Sequence, residues 1–121
     1  VVGTLRYMAP EQVQGRAETR SDVYSLGLTL YELLAFRPAF EETKRGALIR
    51  KKRQAGGPPS PRSVNPSVPR DLETIVLKAC AGNPADRYPS AGQLATDLQR
   101  FLDDRPILAR RTGPATGRFL H

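Results

Sequence analysis

The segment from Ser21 to Phe36 limits what this chain can fold into more than any other part of it. Val23, Leu26, Leu30, Leu33 and Leu34 recur at helical spacing, and Leu28, Tyr31 and Ala35 cover much of the remaining surface. A helix that is apolar on most sides is normally buried within a domain. Ser21 can cap this helix, Asp22 suits the positive end of its dipole, and Arg37-Pro38 ends it. Gly27 lies inside it, where glycine costs about 1 kcal/mol relative to alanine. A glycine there either permits close approach by another backbone or is simply tolerated.

The rest of the pattern is helical too. Glu41 to about Gln54 reads as a polar helix with few anchors, Ala47, Leu48 and Ile49. Residues 70–81 place Leu72, Ile75, Val76, Ala79 and Cys80 on one side, and Gly82 terminates them. From Ser90 to Asp103, Ala91, Leu94, Ala95, Leu98, Phe101 and Leu102 form an apolar stripe. Ser90 and Gln93 open that helix with a capping-box pattern. A short turn is expected after Pro10, a residue suited to the first position of a helix. Residues 55–69 hold five prolines and read as an irregular connection, not a regular helix or central strand. No segment alternates cleanly with a period of two. The expected fold class is all-α, with four main helices and long irregular loops. Residues 105–121 read as a basic linker with no clear period, following a unit that ends at residue 104.

Composition narrows the function classes. With 121 residues and 39% hydrophobic side chains, the chain suits one domain or part of one. No apolar run approaches the roughly 18 residues that a membrane span needs. The single cysteine, Cys80, excludes an internal disulfide, and with a single histidine a Cys/His zinc site is excluded as well. Cys80 is expected to be a buried, inert thiol. The net charge of +7 is uneven, with its two basic concentrations in residues 41–70 and 105–121. Arg50, Lys51, Lys52 and Arg53 could attract phosphates, but they read more simply as a solvated helix end that complements the dipole. No aromatic residue lies within 41–70, so base-stacking platforms are missing there. Val1 comes first and the only methionine is Met8, so a longer parent chain is expected.

Three stretches carry a resemblance. Gly3-Thr4-Leu5-Arg6-Tyr7-Met8-Ala9-Pro10-Glu11 resembles the end of the activation segment in eukaryotic-like Ser/Thr protein kinases, with Ala9-Pro10-Glu11 as the Ala-Pro-Glu landmark. Ser21-Asp22-Val23-Tyr24-Ser25-Leu26-Gly27 is similar to the start of the central helix of the kinase C-lobe. Asn83-Pro84-Ala85-Asp86-Arg87-Tyr88 is similar to the arginine-bearing loop before the last lobe helix. The resemblance covers about residues 1–104, and Asp104-Arg105-Pro106-Ile107 adds a likeness to bacterial membrane-associated members.

That resemblance implies roles. Thr4 matches the threonine that bonds the catalytic aspartate and the catalytic-loop lysine; read alone, it is a loop threonine satisfying its own backbone. Leu5, Arg6, Tyr7 and Met8 match the loop that receives the substrate residue after the phosphoacceptor. The family often has proline at the position of Leu5, so this backbone is less fixed here. Glu11 and Arg87 match a buried ion pair that ties the activation segment to the lower lobe. Residues this far apart cannot be paired from sequence, and only the resemblance joins them. Asp22 matches an aspartate that accepts from the catalytic-loop backbone; its plainer role is that of a first-turn acid.

The same resemblance implies what lies elsewhere. A kinase needs a glycine-rich loop, a strand lysine, a catalytic aspartate and Asp/Asn ligands for magnesium. In the family these lie upstream of the activation-segment end, and this sequence has no Gly-x-Gly-x-x-Gly, His-Arg-Asp or Asp-Phe-Gly. The expected piece is therefore the lower half of a C-lobe, inactive alone, from a two-lobed α+β kinase that uses ATP and magnesium on protein substrates. Its partners would include the remaining half of its own kinase domain. A pseudokinase scaffold is the first alternative. A basic nucleic-acid-binding domain is a weaker one, lacking aromatics and a groove-reading motif. The kinase side is expected in the cytoplasm, with an inner-membrane link only through a span after His121.

Overall fold

A computed structural model describes residues 6–16, 18–41, 45–54 and 58–111. Within these, α1 covers Pro10–Val13, α2 Thr19–Ala35, α3 Arg45–Gln54, α4 Pro61–Val64, α5 Arg70–Ala79, α6 Ala91–Leu102 and α7 Leu108–Arg111, with a 3₁₀ turn at Pro84–Asp86. No strand occurs among the described residues. The all-α reading therefore holds.

Helix α2 is the axis. Together with α5 it contributes to two apolar clusters. One joins Tyr24, Leu28, Tyr31 and Ala35 to Ala9, Phe40, Leu48, Val76 and Cys80. The other joins Val23 to Ile75, Ala79, Tyr88, Leu94, Ile107 and Ala109. At Gly27, α2 packs tightly against the end of α5. A Cβ added there would lie 2.7 Å from Cys80 Sγ and 2.8 Å from Ala79 Cβ, well inside ordinary contact. Of the two readings of this glycine, the structure favours the close approach. Cys80 is fully buried, and burial pushes its thiol pKa far up, so the inert reading holds.

One side of α2 stays open. Leu26 and Leu33 are 44% and 67% exposed, on the same side as exposed Asp22 and Thr29. Phe36 caps the helix in the left-handed region at φ 63° and is 85% exposed.

Four local expectations change. Helix α2 begins at Thr19, two residues before Ser21, with Glu18 at the cap position. Ser21 instead sits inside the first turn and its hydroxyl accepts from the Glu18 amide at 3.1 Å. Second, the proline-rich connection contains α4, because Pro61 takes the first helical position and Ser60 Oγ accepts from the Arg62 amide at 3.2 Å. Third, the segment after residue 104 is not all linker. Ile107 is fully buried, Ala109 is 4% exposed, and the amides of Leu108 and Ala109 donate to the Asp97 carboxylate at 2.7 and 2.9 Å. Fourth, Lys52 is not on a solvated helix end. It is 3% exposed, while its neighbours Arg50 and Lys51 remain exposed.

Candidate functional site

Residues 6–11 run along the flank of α2 into α1. Pro10 starts α1, and Gln12 Oε1 accepts from the Ala9 amide at 2.8 Å, fixing the entry. The three preceding carbonyls are each held by a side chain. Ser25 of α2 donates to the Tyr7 carbonyl at 2.6 Å. Lys52 Nζ of α3 donates to the carbonyls of Arg6 and Met8 at 2.8 and 2.6 Å. The side chains of the loop are also tied down. Arg6 donates to the Phe40 carbonyl, and the Tyr7 hydroxyl donates to Glu32 of α2. The Glu32 bond, then burial, raises the Tyr7 phenol above its ordinary value. Beside it lies a cleft of about 280 Å³ lined by Tyr7, Thr29, Glu32 and Leu33.

Glu11 and Arg87 meet across the fold. Arg87 Nη1 and Nη2 donate to the two Glu11 carboxylate oxygens at 2.7 and 2.9 Å, a bidentate fork. The remaining guanidinium protons go to backbone carbonyls: Nε to Ala81 at 2.7 Å, Nη1 to Arg20 at 3.1 Å and Nη2 to Gly82 at 3.1 Å. All five donors of the group are used. The guanidinium also stacks 4.7 Å from the Tyr24 ring centroid. Ser21 Oγ donates to Glu11 at 2.6 Å. Burial alone would raise the Glu11 pKa, but the bonds from Arg87, Ser21 and a backbone amide outweigh it and leave the carboxyl below its ordinary range.

The remaining residues singled out from sequence fare differently. Thr4 and Leu5 lie outside the described residues. Asp22 is exposed in the first turn of α2 and makes no side-chain hydrogen bond among the described residues. Sequence reasoning missed Ser25, Glu32 and Lys52 as anchors of the loop. For Lys52 a signal existed: it follows Leu48 by four residues and so shares the buried face of α3.

The comparisons with known proteins agree with this geometry. Residues 1–98 match the family model described as the protein kinase domain. The chain belongs to the protein kinase family. Among its relatives, the serine/threonine-protein kinase PknB of Mycobacterium leprae is 42% identical over 108 residues, covering 88% of this chain and 17% of its own length. The serine/threonine-protein kinase PrkC of Bacillus subtilis is 39% identical over 104 residues, covering 85% of this chain and 16% of that protein. The tyrosine-protein kinase MasK of Myxococcus xanthus is 40% identical over 105 residues, again 86% of this chain and 16% of the relative. The chain thus spans about a sixth of the length of these kinases. The described part of the kinase domain offers no group of three or more His, Cys, Asp or Glu side chains able to hold a metal ion. Among the described residues no helix is long and apolar enough to cross a membrane.

Proposed function

We propose that this chain is the substrate-docking and supporting part of a Ser/Thr protein kinase that transfers the γ-phosphate of ATP to protein hydroxyls. The observation that carries the reading is the Glu11–Arg87 fork, which joins Ala9-Pro10-Glu11 to the loop before α6 as the family resemblance requires. In this reading residues 5–8 form the floor that receives the substrate residue beside the acceptor. Thr4 orients the acceptor hydroxyl together with catalytic-loop residues upstream. Asp22, at the exposed start of α2, would accept from the catalytic-loop backbone. The open stripe with Leu26 and Leu33 is the surface on which that half of the lobe would rest. The donor sets for magnesium and for the ATP phosphates lie in that upstream half, and ATP supplies the phosphoryl group there. The residues of this chain hold and position the protein substrate. The kinase side would face the cytoplasm, with any membrane link made beyond the described residues.

The test is phosphate transfer by the longest form of the protein that includes an upstream kinase half. Peptides carrying a single Ser, Thr or Tyr acceptor, labelled ATP and magnesium are supplied. Label on Ser or Thr is expected, and none from the 121-residue chain alone. Label confined to Tyr, the class named for the Myxococcus relative, would overturn the acceptor assignment. Peptide binding with no label would mark a scaffold.

A further inference from the structure

Lys52 is an unusual residue to bury. Taking an ammonium out of water is costly unless hydrogen bonds replace its hydration. Here the Nζ donates to two carbonyls of one loop, those of Arg6 and Met8, 46 and 44 residues away in sequence. It also lies 5.6 Å from the Tyr24 ring and 5.7 Å from the Phe40 ring, so aromatic faces shield the charge. Phe40 in turn accepts from Arg6 through its carbonyl. Among the described residues, charged or titratable groups that bear on it include Arg6 from the loop, Tyr24 from α2 and Cys80 after α5. Burial, then the Arg6 charge, lowers the Lys52 pKa to about 8, so the group remains protonated at neutral pH. One ammonium thus bonds two carbonyls on alternate residues of the loop, while α3 buries the apolar Leu48 one turn earlier.

We propose that Lys52 is the positioning residue of the substrate-receiving loop, fixing the backbone of Arg6-Tyr7-Met8 from α3 and so setting how tightly the protein substrate is held. The proposal rests on the reading of residues 5–8 as that loop. It makes α3 a lever on the site: whatever shifts this helix, a bound protein included, shifts two carbonyls of the substrate floor.

Two readouts separate this from its premise. The first needs no catalysis. Amide hydrogen exchange is followed in Lys52→Met, Lys52→Gln and Lys51→Met; the last removes an exposed charge one residue away. Loss of bonds to a charged donor should speed local exchange at residues 6–9 by about tenfold or more in the Lys52 variants and leave α2, α5 and α6 unchanged. Lys51→Met should match the wild type. Uniformly faster exchange or unfolding in both Lys52 variants would overturn the proposal, making Lys52 a general core residue. Unchanged exchange at residues 6–9 would overturn it too. The second readout uses the longest catalytic form. Lys52→Met should raise KM for the peptide about tenfold, with KM for ATP unchanged. Faster loop exchange with an unchanged peptide KM would overturn the substrate role. If the wild type transfers no phosphate, the function reading fails while the exchange result still decides what Lys52 holds.

Discussion

Replacing Glu11 by glutamine removes one charge from the fork and nearly nothing of its shape. The Arg87 side chain has no exposed area and Glu11 is its ion-pair partner at 2.7 Å. Stranding a buried charge typically costs about 3–5 kcal/mol. Three backbone carbonyls, those of Arg20, Ala81 and Gly82, would still accept from Arg87. The expected loss is therefore at the low end, about 3 kcal/mol. For a folded unit of this size each kcal/mol moves Tm by about 3–5 °C, so Tm should fall by about 9–15 °C. The pH dependence has a definite sign. Glu11 has a lowered pKa in the folded chain, below its ordinary 4.5. Its contribution is fully present above that ordinary value and is lost as pH falls through the depressed one. The gap between wild type and Glu11→Gln should be widest near neutrality and narrow in acid. Thermal and urea unfolding across that range measures it. A loss under about 1 kcal/mol at neutral pH, abolished by high salt, is the behaviour of an exposed pair and would refute the argument.

Gly27→Ala sets two effects against each other. Helix propensity favours alanine by about 1 kcal/mol, while overpacking costs about 1–3 kcal/mol. The obstructing atoms, Ala79 Cβ at 2.8 Å and its carbonyl carbon at 3.2 Å, cannot rotate away, so urea unfolding should show a net loss. A gain would show that α2 and α5 are further apart. Asp97→Asn should free the last segment. Asp97 is 1% exposed and accepts from the Tyr88 hydroxyl at 2.7 Å as well as from the two amides of α7. An asparagine keeps one acceptor oxygen and turns an amide toward a donor, costing about 2–3 kcal/mol. Tryptic cleavage after Arg110 should accelerate about tenfold or more, and unchanged cleavage would contradict the clamp.

The helices were legible because their physics is local. The apolar spacing of α2, α5 and α6 and the Ser90 cap at the start of α6 are written in neighbouring residues, and the Ser90 hydroxyl does accept from the Gln93 amide at 3.2 Å. The Glu11–Arg87 fork spans 76 positions and became legible only through the family pattern around each end. What stayed hidden was side chains whose partners are backbone atoms far along the chain. A run of Arg50-Lys51-Lys52-Arg53 looks like a solvated face, because charge carries no mark of which member a helix turns inward. Residues 107–109 stay hidden for a related reason: Ile107 and Ala109 show no period on their own, and the Asp97 carboxylate that holds the amides of Leu108 and Ala109 carries no mark of it in the sequence.

The buried polar residues share a physical task. The buried polar or charged side chains described are Ser21, Lys52, Arg87 and Asp97. Each connects a helix or the loop before one to backbone outside the helix interiors: Ser21 to the Glu18 amide, Lys52 to the 6–8 loop, Arg87 to residues 81 and 82, Asp97 to the start of α7. Without strands among the described residues, irregular segments cannot satisfy their amides and carbonyls in a ladder, and leaving such groups bare when buried is costly. A side chain reaching from a helix solves this at fixed points. Apolar packing could supply equal stability but offers these amides and carbonyls no partner. In this kinase-family chain the buried polar side chains give those irregular segments their partners.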